Sequence, residues 1–408
     1  TVGRFTPASR LVPKYPFIFS QDFRLILYKL TSLDLFSSLS VANATIFKRA
    51  DSLLEGKMHF MCRIRRDNIF EDGIKLLNSV GPGCVQFDIS FDDEPGFGSG
   101  PMHEFIALMS TEFSKKSRQM WRNVKESTDG IVVGENGYFP APNADPELFY
   151  TLGILCGKAL QAGIPVPIPF NTEFFKLLRD EPVDLKRIDL AFYNSLKPAN
   201  KEGFIGLYFV YPGIDTMELI PNGSNIEVTN DNVDDYINYV EKFTIDGPQI
   251  KRIRNRFLDG FHKIVLGDME KSLLSAEEMN YLISGDKISV SMEDLMENII
   301  LEHGYDSNSP EIKMLFEAIL EMNDEDRAMF FKFITGTDRL PIGGLSNLSP
   351  KVKVAKRVLE YGQRPDDALP TVSTCSYYFK MPAYSNKETL MKKIKIAIHE
   401  GQNAFLLS

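Results

Sequence analysis

The sequence predicts an α+β protein of two unequal units, mostly helical with a few short strands. Its 408 residues exceed what one compact core supports and suggest two or three domains. Most of the chain repeats with a helical period, while strand-like runs are few and short. A cluster of turn-forming residues, Glu302-His-Gly-Tyr-Asp-Ser-Asn-Ser-Pro310, interrupts two helical patterns and marks the main boundary.

Residues 62–79 read as an amphipathic helix and 84–91 alternate like a strand. A helix restarts over 101–114, with Pro101 at the first position, where its missing N–H costs nothing. Residues 139–146, rich in Pro and Asn, form a loop. Buried helices follow at 147–162 and 172–179, separated by the extended IPVPIPF. Short strands are expected at 203–210 and 217–220, and helices at 232–243 and 248–266. Ser275-Ala-Glu-Glu278 is a capping box that starts another helix, and Ser291 with Asp294 repeats the signal more weakly. Beyond the boundary lies a smaller unit of about a hundred residues. Helices at 310–321 and 324–334 precede a glycine-rich loop and a strand at 377–381. A capping box, Ser385-Asn-Lys-Glu388, announces a last helix. No internal repeat or low-complexity tract is visible.

The content, 43% hydrophobic and 25% charged, is that of an ordinary globular protein. The first residues show no secretory signal, and no run of about eighteen apolar residues suggests a membrane span. The chain starts without Met, which is expected of a piece of something larger. Net charge is −9 with both signs interspersed, which argues against a nucleic-acid surface and for protein partners. Arg63, Arg65 and Arg66, and the basic run 251–256, read as wet helix faces. Four cysteines, at 62, 84, 156 and 375, have neither disulfide-scaffold density nor CxxC spacing. A reducing compartment, cytosol or nucleus, is expected.

Few residues offer chemistry. Gly96-Phe-Gly98-Ser-Gly100 fails the dinucleotide pattern at Pro101 and reads as a structural turn. The histidines at 59, 103, 262, 303 and 399 have no metal-ligand spacing, so no metal is expected and each reads as a surface or satisfied core residue. Asp92-Asp-Glu94 and Asp234-Asp235 read as solvated turns and faces. Cys375 differs from the other cysteines. It follows the polar turn 363–369 and Pro370, and precedes an aromatic strand. That position suits a nucleophile at a loop edge, and it equally suits a half-buried structural cysteine. A thiol of pKa about 8.5 is a few per cent thiolate at neutral pH, enough for thioester exchange without a cofactor. An amide hydrolase would want an adjacent base, and His399 is the one histidine near it in sequence.

Leu369-Pro-Thr-Val-Ser-Thr-Cys375 resembles the LPxxxTC signature of HECT ubiquitin ligases. Upstream, Phe333-Ile-Thr-Gly-Thr-Asp-Arg-Leu-Pro-Ile-Gly-Gly-Leu345 resembles that family's TGT(D/S)RxPxGG segment. Downstream, MPAYSNKETLMKKIKIAI resembles its LPxYxSxExLxxKLxxAI helix. The larger unit matches more loosely, through residues 91–105 and 152–178, so the resemblance covers about 60–408. The tail GQNAFLLS and the EPGFGSGP variant are closest to the ubiquitin-fusion-degradation subgroup.

The resemblance implies a bilobal α+β HECT fold, with a large, mainly helical N-lobe and a small α/β C-lobe on a flexible hinge. On this sequence, 1–60 would be an extension packing on the N-lobe and 61–302 the N-lobe. Within it, a subdomain at about 190–245 would recruit a ubiquitin-charged conjugating enzyme. His303-Gly304 would be the hinge, and 305–408 the catalytic C-lobe. Cys375 would carry ubiquitin as a thioester, Thr374 would support it, and Phe405 in the tail would serve transfer to lysine. By motif position, Phe192, Leu196, Ile205, Leu207 and Tyr236 would bind the conjugating enzyme. Implied partners are ubiquitin, that enzyme and protein substrates, with no cofactor. One departure matters. Many members have histidine two residues before the cysteine, where this chain has Ser373, so no residue can be named as the base for the acceptor lysine.

Overall fold

The computed structural model describes residues 12, 14–33, 59–79, 86–92, 100–122, 124–126, 130–134, 136–198, 201–266, 273–335, 339–341, 344–348, 350–359, 361–373 and 377–404. Two hydrophobic cores organise them. One runs from Val12 to Ile283, the other from Ile288 to Ile398.

In the larger unit, α1 (Gln21–Ser32) starts at Ser20, whose hydroxyl accepts the Phe23 N–H. It buries Leu25 and Tyr28, and its Arg24 forks onto the Glu278 carboxylate. Strand β1 (His59–Ile64) pairs in parallel with β2 (Gln86–Phe91), with Cys62 opposite Ile89, and α2 (Ile69–Ser79) crosses between them. The helix expected over 62–79 therefore begins only at Ile69. Residues 62–64 gain a strand partner from beyond the helix, which a local period cannot reveal. Next come α3 (Gly100–Phe113) and the pair β3 (Val124–Glu126) and β4 (Val132–Gly134).

Helix α4 (Pro146–Ala162) starts one residue earlier than expected, at the end of the stretch read as a loop. The Asp145 side chain accepts the Glu147 N–H at 2.9 Å, Pro146 opens the first turn, and Gly163 closes the helix at φ 71°. Asn171 caps α5 (Thr172–Leu178), and α6 (Leu190–Ser195) follows. The strand expected at 203–210 is confined to β5 (Val210–Tyr211), paired with β6 (Ile214–Glu218). Residues 202–204 form a tight turn and Gly206 sits at φ 86°, so the chain cannot extend earlier. Helices α7 (Val233–Asp246), α8 (Pro248–His262) and α9 (Ala276–Ser284) complete the unit. α9 starts with the reciprocal capping box of Ser275 and Glu278.

Helices α4 and α8 are the centre of this unit. A Cβ on Gly153 would lie 2.1 Å from the Phe257 carbonyl oxygen, and one on Gly260 would lie 2.0 Å from that of Tyr150. The two backbones therefore touch through paired glycines. Around them Trp121, Phe149, Phe174 and Phe257 form an aromatic chain at centroid distances of 5.3, 6.2 and 5.2 Å. Each such buried ring contributes about 1.5–3 kcal/mol of hydrophobic stabilisation.

The smaller unit holds β7 (Asp286–Lys287), α10 (Met292–Asn298), β8 (Ile300–Glu302), α11 (Pro310–Glu321), α12 (Asp324–Thr335) and β9 (Arg339–Leu340). It continues with β10 (Lys353–Lys356), β11 (Thr371–Ser373), β12 (Tyr378–Met381) and α13 (Lys387–Ala404). Its sheet has the order β11-β12-β10-β8, with β10 parallel to both neighbours and β11 antiparallel to β12. Asn386, one residue later than expected, caps α13, accepting the Thr389 N–H at 2.9 Å.

The division between the units also moves. Leu295 and Ile299 are buried in the second core, and β8 pairs with β10, so 288–302 packs with the smaller unit and not with the N-lobe as expected. His303-Gly304 then lies inside the small unit, its His303 carbonyl accepting from Lys356 N–H at 3.2 Å. The chain passes between cores at 284–287, where Gly285 adopts φ 71° against Pro165 and the Leu340 carbonyl. Among the described residues no helix is long and apolar enough to cross a membrane.

Candidate active site

Strands β11 and β12 pair antiparallel with Ser373 opposite Tyr378, so residues 374–377 connect them at one edge of the small sheet. Thr374 and Cys375 lie outside the described residues, as does Phe405 in the tail. The frame around them is described in detail. On the approach, the Ala368 carbonyl accepts from the Tyr384 hydroxyl at 2.9 Å, and the Leu369 carbonyl accepts from Arg357. On the exit, the Lys353 N–H donates to the Tyr377 carbonyl at 2.9 Å, and the Met381 carbonyl accepts from the Tyr305 hydroxyl at 3.1 Å and from the Arg357 N–H at 2.9 Å. Burial pushes the hydroxyls of Tyr305, Tyr377 and Tyr384 well above the ordinary phenol range, so all three stay neutral and none is a base.

Tyr377 is the tightest of these positions. It takes φ 50°, its side chain is 1% exposed, and its hydroxyl has no hydrogen-bond partner. Its ring meets the His103 imidazole of α3 edge to face, with centroids 5.5 Å apart and planes at 80°. That contact joins the two units beside the cysteine segment. Reading His103 as a surface or core residue missed it, because 274 residues separate the partners.

The other described cysteines are poor nucleophiles. Burial, reinforced by the Asp88 carboxylate, pushes the Cys62 thiol up to about 11, and complete burial pushes Cys156 up further. Cys84 lies outside the described residues. No cluster of metal-ligating side chains occurs among the described residues.

Residues expected to bind a conjugating enzyme divide in two. Ile205 and Leu207 are exposed, and with Leu190, Tyr208 and Tyr239 they leave apolar side chains open to solvent. Leu196 and Tyr236, each 2% exposed, are core residues of the same subdomain, correcting their place in a contact surface. A side chain enclosed to that degree has no area to offer. Phe192 is intermediate. It packs on the core under the Arg122 guanidinium, 4.8 Å above its ring. Arg122 also pairs with buried Asp189 at 3.1 Å and donates to the Tyr211 hydroxyl at 3.3 Å. Asp189 in turn accepts the Phe192 N–H that starts α6. This buried network ties the subdomain to the rest of the unit.

Residues 107–408 match the HECT-domain (ubiquitin-transferase) family, and the chain belongs to it. Over 98% of its length it is 32% identical to a probable ubiquitin fusion degradation protein of Schizosaccharomyces pombe, and 31% identical to ubiquitin fusion degradation protein 4 of Saccharomyces cerevisiae. Over 96% it is 29% identical to the E3 ubiquitin-protein ligase TRIP12 of Danio rerio. The chain spans 26%, 30% and 22% of those relatives' own lengths.

Proposed function

We propose that this chain is the catalytic part of a HECT-type ubiquitin ligase. The Cys375 thiolate attacks the carbonyl carbon of the thioester that joins ubiquitin's C-terminus to a conjugating enzyme. A new C–S bond forms, the old one breaks, and the conjugating enzyme leaves as a thiolate. A substrate lysine amine then attacks the Cys375 thioester. An amide forms, Cys375 leaves as thiolate, and the amine's proton passes to solvent or a base. Exchange between thioesters is nearly balanced and amide formation is downhill, so no cofactor is called for. The observation that carries this reading is the LPTVSTC motif, whose Thr371–Ser373 form the edge strand β11, in a chain whose described thiols, Cys62 and Cys156, are buried and pushed toward the protonated form.

The exposed set Leu190, Ile205, Leu207, Tyr208 and Tyr239 supports docking of the conjugating enzyme on this subdomain. Facing that enzyme and then a substrate calls for reorientation of the small unit, which we place at Gly285, between the two cores. A cytosolic or nuclear setting suits the sparse cysteines of this chain, of which Cys62 and Cys156 are buried.

The chain mixed with charged conjugating enzyme and run on a non-reducing gel should show a ubiquitin adduct that reducing agent removes. Cys375→Ala should abolish it, and Cys375→Ser should trap an oxyester. Binding without an adduct would mark an interaction module, and release of free ubiquitin a hydrolase. Full ligase activity in Cys375→Ala would overturn the reading.

A further inference from the structure

Tyr377 is held three ways: by its buried ring in the small core, by its carbonyl on Lys353, and by its edge-to-face contact with His103. The first two lie within the small unit. The third reaches across to α3 of the large one. A stretch of two residues spans at most about 7 Å. Whatever fixes Tyr377 therefore limits where the thiol of Cys375 can be delivered. Helix α3 packs chiefly on α2, α4 and β2, whereas the apolar surface at 190–239 belongs to the separate subdomain built on α6 and α7. Tyr377 seated on α3 therefore lies against a different part of the large unit from that subdomain.

We propose that His103 is a positioning residue for the second half-reaction. Its ring seats Tyr377, and with it the Cys375 segment, on α3 in the arrangement that hands ubiquitin to lysine. This rests on the ligase reading. In this role the imidazole acts as an aromatic ring and not as a base. A phenyl ring at 103 should serve in its place, and an aliphatic or small side chain should not. Aromatic pairs of this geometry correspond to a rate difference of roughly two- to twelvefold.

Pulse–chase gels time the two half-reactions separately. His103→Ala should load Cys375 at the parental rate and discharge to lysine roughly two- to twelvefold more slowly, while His103→Phe should restore discharge. Parental discharge in His103→Ala overturns the proposal. So does a His103→Phe chain as slow as His103→Ala, since that would mean the imidazole's proton chemistry is what counts. The contact has a second readout that needs no activity: in NMR of the full chain, the His103 ring protons should carry a ring-current shift that Tyr377→Leu removes. An unshifted His103 overturns the proposal, and absence of any parental adduct on Cys375 overturns the ligase reading instead.

Discussion

Gly304 sits at φ 96°, following His303 at φ 46°, and a Cβ there would lie 3.3 Å from the Lys356 side chain. A side chain at this position pays for both the left-handed backbone and the crowding. Gly304→Ala should cost about 1–2 kcal/mol of stability, read by urea unfolding, and change transfer little, because the turn belongs to the small unit. A hinge at Gly304 would instead show unchanged stability with slowed transfer. Charge pairing gives a larger residue effect. Asp189 and Arg122 are both enclosed, so Asp189→Ala leaves a guanidinium buried without its counter-ion. A loss of about 3–5 kcal/mol is expected, and Arg122→Met with Asp189→Ala should recover part of it. For Phe405, Phe405→Ala should leave loading intact and slow discharge in the same gels. Equal discharge rates would return that ring to ordinary packing. At this scale the family motif that ends at Cys375 was legible because it sits in one short stretch. The His103–Tyr377 contact was not, since folding alone brings the two rings together.

Elements were legible where their signals are local. The capping boxes at Ser275 and Ser291 are both formed as read. Residues 62–64 of β1 were misread as helix because their partner is β2, and the 203–210 run as strand because Gly206 breaks it. Of the apolar residues expected at a contact surface, Ile205 and Leu207 face outward and Leu196 and Tyr236 do not, because pattern marks apolar residues and only packing decides which are exposed. Leu207→Asp and Tyr208→Ala should therefore slow loading five- to thirtyfold, about 1–2 kcal/mol, with the unfolding curve unchanged. Tyr236→Ala should instead remove about 3–5 kcal/mol from the fold. Equal loading by the surface variants would move the docking site elsewhere. Between helices, Gly260→Ala drives a methyl into the Tyr150 carbonyl and forces α4 and α8 apart. The cost should be at least about 1–3 kcal/mol, seen as a lower midpoint in chemical denaturation.

Across the whole molecule, several carboxyls are held below their usual range in the fold. The Arg65 guanidinium takes Asp72 down to about 2. Lys395, with His399, lowers Asp326, which anchors α13 to α12. For Glu112, burial pushes upward but Lys115 and Arg118 more than offset it. Each group binds its proton more weakly folded than unfolded. Its contribution is therefore complete above about pH 4 and lost as pH falls toward the folded value, near 2 for Asp72. Stability by urea titration should hold from pH 7 to about 4.5 and fall between about 4 and 2. A flat profile there would mean these pairs persist in the unfolded chain.

The membership of β8 in the small sheet bears on dissecting the chain. A fragment starting at residue 305, where the turn-rich stretch invites a cut, would strip β10 of one neighbour and bare its N–H and C=O groups to other copies. It would also unroof the core that Leu295 and Ile299 fill. Such a fragment should clump into oligomers, whereas one starting at residue 286 should run as a monomer in gel filtration.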